Sequence, residues 1–251
     1  FLPVMERDDS LMAIKSALDE IANETAQILP DCRVSKSYED KNDALRLTID
    51  RGGVIVKIEL SPVLRGTVYE SQIMAVSEAV EDEFGFAEMQ VVAFADLFAG
   101  KICAALDRQH PRDLFDVKWL LENEGLSDEL RKALLVYIIS HPRPISELLQ
   151  PQLKDIAAIY EGEFRHMAEI DVPLGELESC RSALISLVNS SLTDSERQFL
   201  LSFKNRLPDW SLLGLQGVDQ LPAVRWKLQN LGKMSVDKHA VALDRLRKIL
   251  G

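Results

Sequence analysis

The sequence predicts an α+β fold, with a small strand-bearing N-terminal part followed by a mostly helical region. Three observations carry this. Apolar residues recur every three to four positions over 9–29, alternate strictly over 44–61, and return to helical spacing from Asp96 almost to the end. The switch of period falls between Pro62 and Asp96, so the parts are taken as 1–95 and 96–251.

The first helix, 9–29, carries Leu11, Ile14, Leu18, Ile21, Thr25 and Ile28 along one stripe, with Asp9 or Ser10 as its cap and Pro30 as its stop. In the 44–61 hairpin, Arg51-Gly52-Gly53 reads as the turn. Val54, Val56, Ile58 and Leu60 point to one face of its second strand, Lys57 and Glu59 to the other. A less regular segment runs from Pro62 to about residue 90. Helices are then expected over 96–109, 112–123, 128–140, 145–163, 176–190, 194–206, 221–231 and 235–250, with Pro142, Pro173 and Gly232 among the breaks.

Composition narrows the function. A length of 251 residues buries a sizeable core. No apolar run approaches the ~18–20 residues that span a bilayer, and no basic-then-apolar leader is present. Cys32, Cys103 and Cys180 are far apart and odd in number, as in a reducing cytoplasm, and neither they nor the four histidines have zinc spacing. A net charge of -11 argues against non-specific nucleic-acid binding, although Arg245, Arg247 and Lys248 leave a local basic patch.

The chemistry concentrates in AGKICAALDRQHPRDLFD, from Ala99 to Asp116. Lys101, Ala105 and Arg108 share one face of a helix rich in small residues. Pro111 suits the opening of the next helix, and Asp113 and Asp116 share a face of it. A short turn would set the two cations opposite the two carboxylates. The residues alone leave two readings open. One is an interhelical ion-pair network. The other is a phosphate site, in which lysine meets a triphosphate and carboxylates, including Glu59 on its strand, hold Mg²⁺ or accept a proton. No glycine-rich phosphate loop and no Ser-His-Asp set is visible.

These residues also carry a resemblance. AGKICAALDRQHPRDLFDVKWLL resembles the Ala-Gly-Lys helix and Pro-Arg-Asp-Leu-x-Asp turn of the AbiEii/AbiGii toxin family, within the nucleotidyltransferase superfamily. VKIELSPVLRGTVY, from Val56, is similar to the family's Lys/Arg-x-Glu strand and the segment after it. FLLSFKNRLPDWSLLGLQGVDQLPAVRWKLQNL, from Phe199, resembles the C-terminal half of one large subgroup.

The resemblance implies a nucleotidyltransferase-like small sheet with helices in 1–95, a helical region in 96–251, and metal-assisted transfer of a nucleotide from an NTP. It implies a toxin of a bacterial toxin–antitoxin or phage-defence system, cytoplasmic, with an antitoxin partner and an acceptor that is an RNA end, a protein or a small molecule. By matching position, Glu59 is the metal-binding carboxylate, Lys101 the phosphate-contacting lysine and Asp113 its acidic partner. Arg112 and Asp116 are the other matching polar positions, and Arg108 joins Lys101 in attracting phosphate. The superfamily's Gly-Ser and Asp-x-Asp motifs have no match, and Asp8-Asp9 is no substitute, because adjacent residues do not share a strand face. The chain is therefore expected to be truncated, inactive as given, and prone to self-association through an uncovered edge. A non-catalytic binding module that keeps the fold is the alternative.

Overall fold

Ile14, Leu18 and Ala22 fall four residues apart, and a helix turns that spacing into one buried stripe. They lie on α1, Arg7–Ile28. The computed structural model describes residues 7–38, 45–60 and 66–251. The chain divides into two compact units, Phe1–Leu64 and Arg65–Gly251.

In the first unit the α1 stripe meets Leu45 and Leu47 to form a small core. Three antiparallel strands follow α1: β1 (Arg33–Ser37), β2 (Leu45–Arg51) and β3 (Val54–Leu60), in the order β1-β2-β3. β2 and β3 are the expected hairpin, although residues 44 and 61 lie outside the described ones. Gly52 and Gly53 both have positive φ (59° and 87°), as the tight turn between twisted strands requires. Two expectations need correction. Val54 and Val56 share a face with Ile58 and Leu60 but are 68% and 54% exposed, because the small core reaches only the latter pair. The strand β1 was not expected, since Arg-Val-Ser-Lys-Ser has almost no apolar alternation. Its backbone pairs with β2, and Asp19 of α1 receives hydrogen bonds from Lys36 and from the Tyr38 hydroxyl just beyond it.

The second unit begins with a segment fastened by one buried carboxylate. Asp96 is 1% exposed and accepts hydrogen bonds from the backbone N–H of Val68 (2.7 Å) and Tyr69 (2.9 Å) and from the Tyr137 hydroxyl (3.1 Å). Next, β4 (Gln72–Ala75) pairs antiparallel with β5 (Glu88–Val91) around the short helix α2 (Glu78–Phe84). These elements fall in the segment read as irregular, since four-residue strands are too short to establish a period.

The helices are α3 (Phe94–Asp107), α4 (Pro111–Asn123), α5 (Asp128–Ser140), α6 (Ile145–Leu149), α7 (Ala157–Ile159), α8 (Leu174–Ser191), α9 (Asp194–Lys204), α10 (Pro222–Gly232) and α11 (Val236–Leu250). The helix expected over 145–163 is broken. Pro151 disfavours helical backbone at Gln150, which sits at φ -134°, ψ 73°, and the chain resumes only at α7 and the π turn Tyr160–Phe164. No strand follows residue 130 among the described residues, so the α+β architecture holds. Phe199, Phe203 and Trp210 cluster in the core, with Trp210 centroids 5.4 and 6.2 Å from the two phenylalanines. No described helix is long and apolar enough to cross a membrane.

Candidate functional site

Ala99, Ile102, Cys103 and Leu106 make the face of α3 that packs into the core. The small residues around Lys101 therefore serve close helix packing. A Cβ added at Gly100 would sit 3.5 Å from the ring of Tyr137 on α5. Lys101 comes from the partly exposed side of the same helix.

The α3–α4 connection is only Arg108, Gln109 and His110, and it is tightly determined. Gln109 adopts φ 53°, a left-handed conformation that a side chain disfavours. It is 1% exposed, and three bonds hold it there. Its amide nitrogen donates to the Gln152 carbonyl (2.9 Å), and its amide oxygen accepts from the Lys154 N–H (3.0 Å) and the Arg181 guanidinium (3.1 Å). Pro151 thus has a constructive effect: the non-helical stretch after it supplies the Gln152 carbonyl and the Lys154 N–H. His110 caps α4, accepting the Arg112 N–H at Nδ1, so Nε2 carries the proton and donates to Glu163 (3.2 Å). Pro111 follows as the first helical residue.

This turn sets cations against carboxylates. Lys101 Nζ lies 2.6 Å from Asp116 Oδ2, with the two side chains 33% and 38% exposed. Arg108 grips Asp113 with both arms of its fork, at 2.5 and 2.7 Å. The Asp113 side chain is 8% exposed and that of Arg108 62%, so the carboxylate is buried while the guanidinium stays in solvent. The pair raises the Arg108 pKa, chiefly through the Asp113 hydrogen bond. Asp113 also sits in the first turn of α4, where the helix dipole favours a negative charge. Arg112 is exposed.

Glu59 belongs to the other unit. On β3 it stands opposite Arg46 of β2, and the two side chains are paired at 2.5 Å, with Glu59 half exposed. Among the described residues no group of three or more His, Cys, Asp or Glu is arranged to hold a metal ion, and Glu59, Asp113 and Asp116 are each engaged by a cation. These residues do not by themselves fit a magnesium centre.

A cleft of ≈ 390 Å³ lies beside the same turn, lined in part by Asp107, Gln109, Arg143, Lys154 and Arg245. Its charges answer one another. Arg143 pairs with Asp107 and Glu147, Arg245 with Glu147, and the Lys154 ammonium donates to the carbonyls of Asp107 and Arg108.

The family description that matches residues 2–230 is the nucleotidyl transferase AbiEii toxin of type IV toxin–antitoxin systems. The chain belongs to this family. Neither the curated proteins nor the solved structures give a match. The α3–α4 pairs of this AbiEii-family chain fall in its Ala-Gly-Lys and Arg-Asp-Leu-x-Asp segment, and the family is one of nucleotidyltransferase-type toxins that work with an antitoxin.

Sequence reasoning missed Gln109 and Arg181. A glutamine and an arginine 72 positions apart carry no local signal of their bond.

Proposed function

We propose that this chain is the toxin of a bacterial toxin–antitoxin or phage-defence pair and transfers a nucleotide from an NTP to an acceptor, an RNA end being the first candidate. The core for that chemistry is 1–95 and the helical region 96–251. The observation that carries the reading is the pair of cation–carboxylate contacts across α3 and α4, with both cations open to solvent. An ion pair as exposed as Lys101–Asp116 is worth no more than about 1 kcal/mol. A triphosphate oxygen therefore exchanges for Asp116 at little cost, and Lys101 becomes the phosphate ligand.

Arg108 and the exposed Arg112 add charge near the turn. Asp113, buried and gripped by Arg108, orients the guanidinium rather than meeting the nucleotide. Asp116, once Lys101 has moved to phosphate, is left as a proton acceptor. Magnesium, which the family implies, neutralises charge on the phosphates when bound. Glu59 would have to leave Arg46 to ligate it, and further oxygen ligands are required. The antitoxin is the expected partner, the cytoplasm the expected location, and the exposed apolar residues Phe84, Phe86 and Met89 support self-association.

A second reading, a nucleotide-binding module without catalysis, is favoured by the engagement of all three carboxylates with cations. Labelled NTPs offered to the chain with Mg²⁺ and bulk RNA separate the two. Binding that weakens tenfold or more in Lys101→Ala is the expected result, and label appearing on RNA would decide for transfer. Binding without transfer supports the second reading, and NTP affinity unchanged in Lys101→Ala overturns both.

A further inference from the structure

Lys204, the last residue of α9, is only 5% exposed. Among the described residues its ammonium makes no hydrogen bond and no ion pair. The charges that act on it are positive. Arg206 lies two residues on, in a left-handed conformation (φ 68°), with one Nη donating to the Met234 carbonyl (2.9 Å). Its Nε is buried and has no partner. Lys227, from α10, donates to three carbonyls beyond the end of α5: His141 (2.5 Å), Pro142 (3.2 Å) and Arg143 (3.0 Å). None of the three cations pairs with a carboxylate among the described residues.

Such a cluster is unfavourable as it stands. The Lys204 ammonium keeps only a narrow access to water, without a hydrogen bond or an opposite charge to replace the hydration it loses, and neighbouring cations add repulsion. Both lysines register this. Burial, and then the charge of Lys204, push the Lys227 ammonium down to about 8, while burial, and then Arg206, lower Lys204. The unspent donors are an ammonium with three N–H bonds and a guanidinium Nε–H. An oxyanion satisfies donors of this kind and cancels the charge.

We propose that Lys204 and Arg206, backed by the field of Lys227, bind a tetrahedral oxyanion: phosphate, free or as the phosphate group of a small nucleotide. These residues lie in the Phe199–Leu231 segment, to which the nucleotidyltransferase reading assigns no role, and outside α3 and α4, which carry Lys101 and Asp113.

The test is thermal unfolding of the full chain in phosphate against chloride at equal ionic strength, repeated with AMP. Wild type should gain about 3–6 °C in Tm at a ligand concentration ten times its Kd. Lys204→Met should lose that gain, whereas Lys15→Ala, at an exposed lysine of α1, should keep it. A response to AMP as well as phosphate assigns the site to a nucleotide phosphate, and a response to phosphate alone assigns it to the free ion. If Lys204→Met does not fold, ³¹P line broadening of inorganic phosphate with wild type, weakened at least tenfold in affinity by Arg206→Gln, serves instead. No phosphate-specific effect in wild type overturns the proposal. So does a Lys204→Met chain that is more stable yet responds unchanged, because Lys204 is then merely a buried amine.

Discussion

Glu59 and Asp113, two carboxylates matched to one expected site, are held in very different ways. Glu59 sits half exposed on β3, in a unit whose buried apolar residues, among those described, are Ile14, Leu18, Ala22, Leu45 and Leu47. Asp113 sits 8% exposed at the start of α4, in a unit with a continuous core running from α3 to α11. The Arg46–Glu59 pair rests on one cross-strand contact, whereas Asp113 has a bidentate arginine, a helix N-terminus and a turn fixed by Gln109. Burial and over-determination make a side chain's position costly to change. A loss of activity on altering Glu59 therefore reports on chemistry, while the same loss at Asp113 mixes chemistry with folding.

The largest expected effect tests whether the two units stand separately. Leu18 is fully buried in the smaller core, and Leu18→Ala should cost about 2–5 kcal/mol. Amide exchange should then speed up across α1 and β1–β3 while α3 and α5 keep their protection. Equal loss of protection in both units would merge them into one cooperative block.

Next comes pH, which acts on the larger unit through Lys227. The Lys227 pKa is about 8 in the folded chain, against an ordinary value of 10.5. Below pH 8 both folded and unfolded chains hold the proton, and the cost of burying the charge is present in full. Between pH 8 and 10.5 the folded chain gives the proton up first, so stability should rise with pH, by on the order of 3 kcal/mol. Urea unfolding of wild type against Lys227→Met across this range measures it, and parallel curves would deny the cost of burial.

A smaller effect is expected at the turn. Arg108→Ala leaves the buried Asp113 without its cation and should destabilise by about 2 kcal/mol in denaturant unfolding. A cost below about 0.5 kcal/mol would put Asp113 in the same class as Glu59. The smallest change belongs to Glu59→Gln, which removes one side of a half-exposed pair and should shift stability by less than about 1 kcal/mol. A larger shift would show that the small sheet depends on that contact.

Much of this was legible before any coordinates. The α1 stripe, the hairpin with its Gly52-Gly53 turn and most of the later helices follow from period and turn chemistry, which are local properties of the chain. Lys101 and Arg108 opposite Asp113 and Asp116 were legible for the same reason, because a three-residue link between helices leaves few ways to pair their facing sides. The strands β1, β4 and β5 were not, since their backbone pairing requires little of their side chains.

By itself, then, the sequence determined most of the helical segments, which two strands form a hairpin, the family, and the residues that meet across the α3–α4 turn. Only the tertiary structure decided how those residues pair: Lys101 with Asp116, and Arg108 with a buried Asp113. It alone brought Gln152, Lys154 and Arg181 to the left-handed Gln109, joined Asp96 to the backbone at 68–69, and gathered Lys204, Arg206 and Lys227 without an acidic partner among the described residues. Periodicity reports which face of an element is buried. The partner of a buried polar group is set by segments far away in the chain, and nothing local records it.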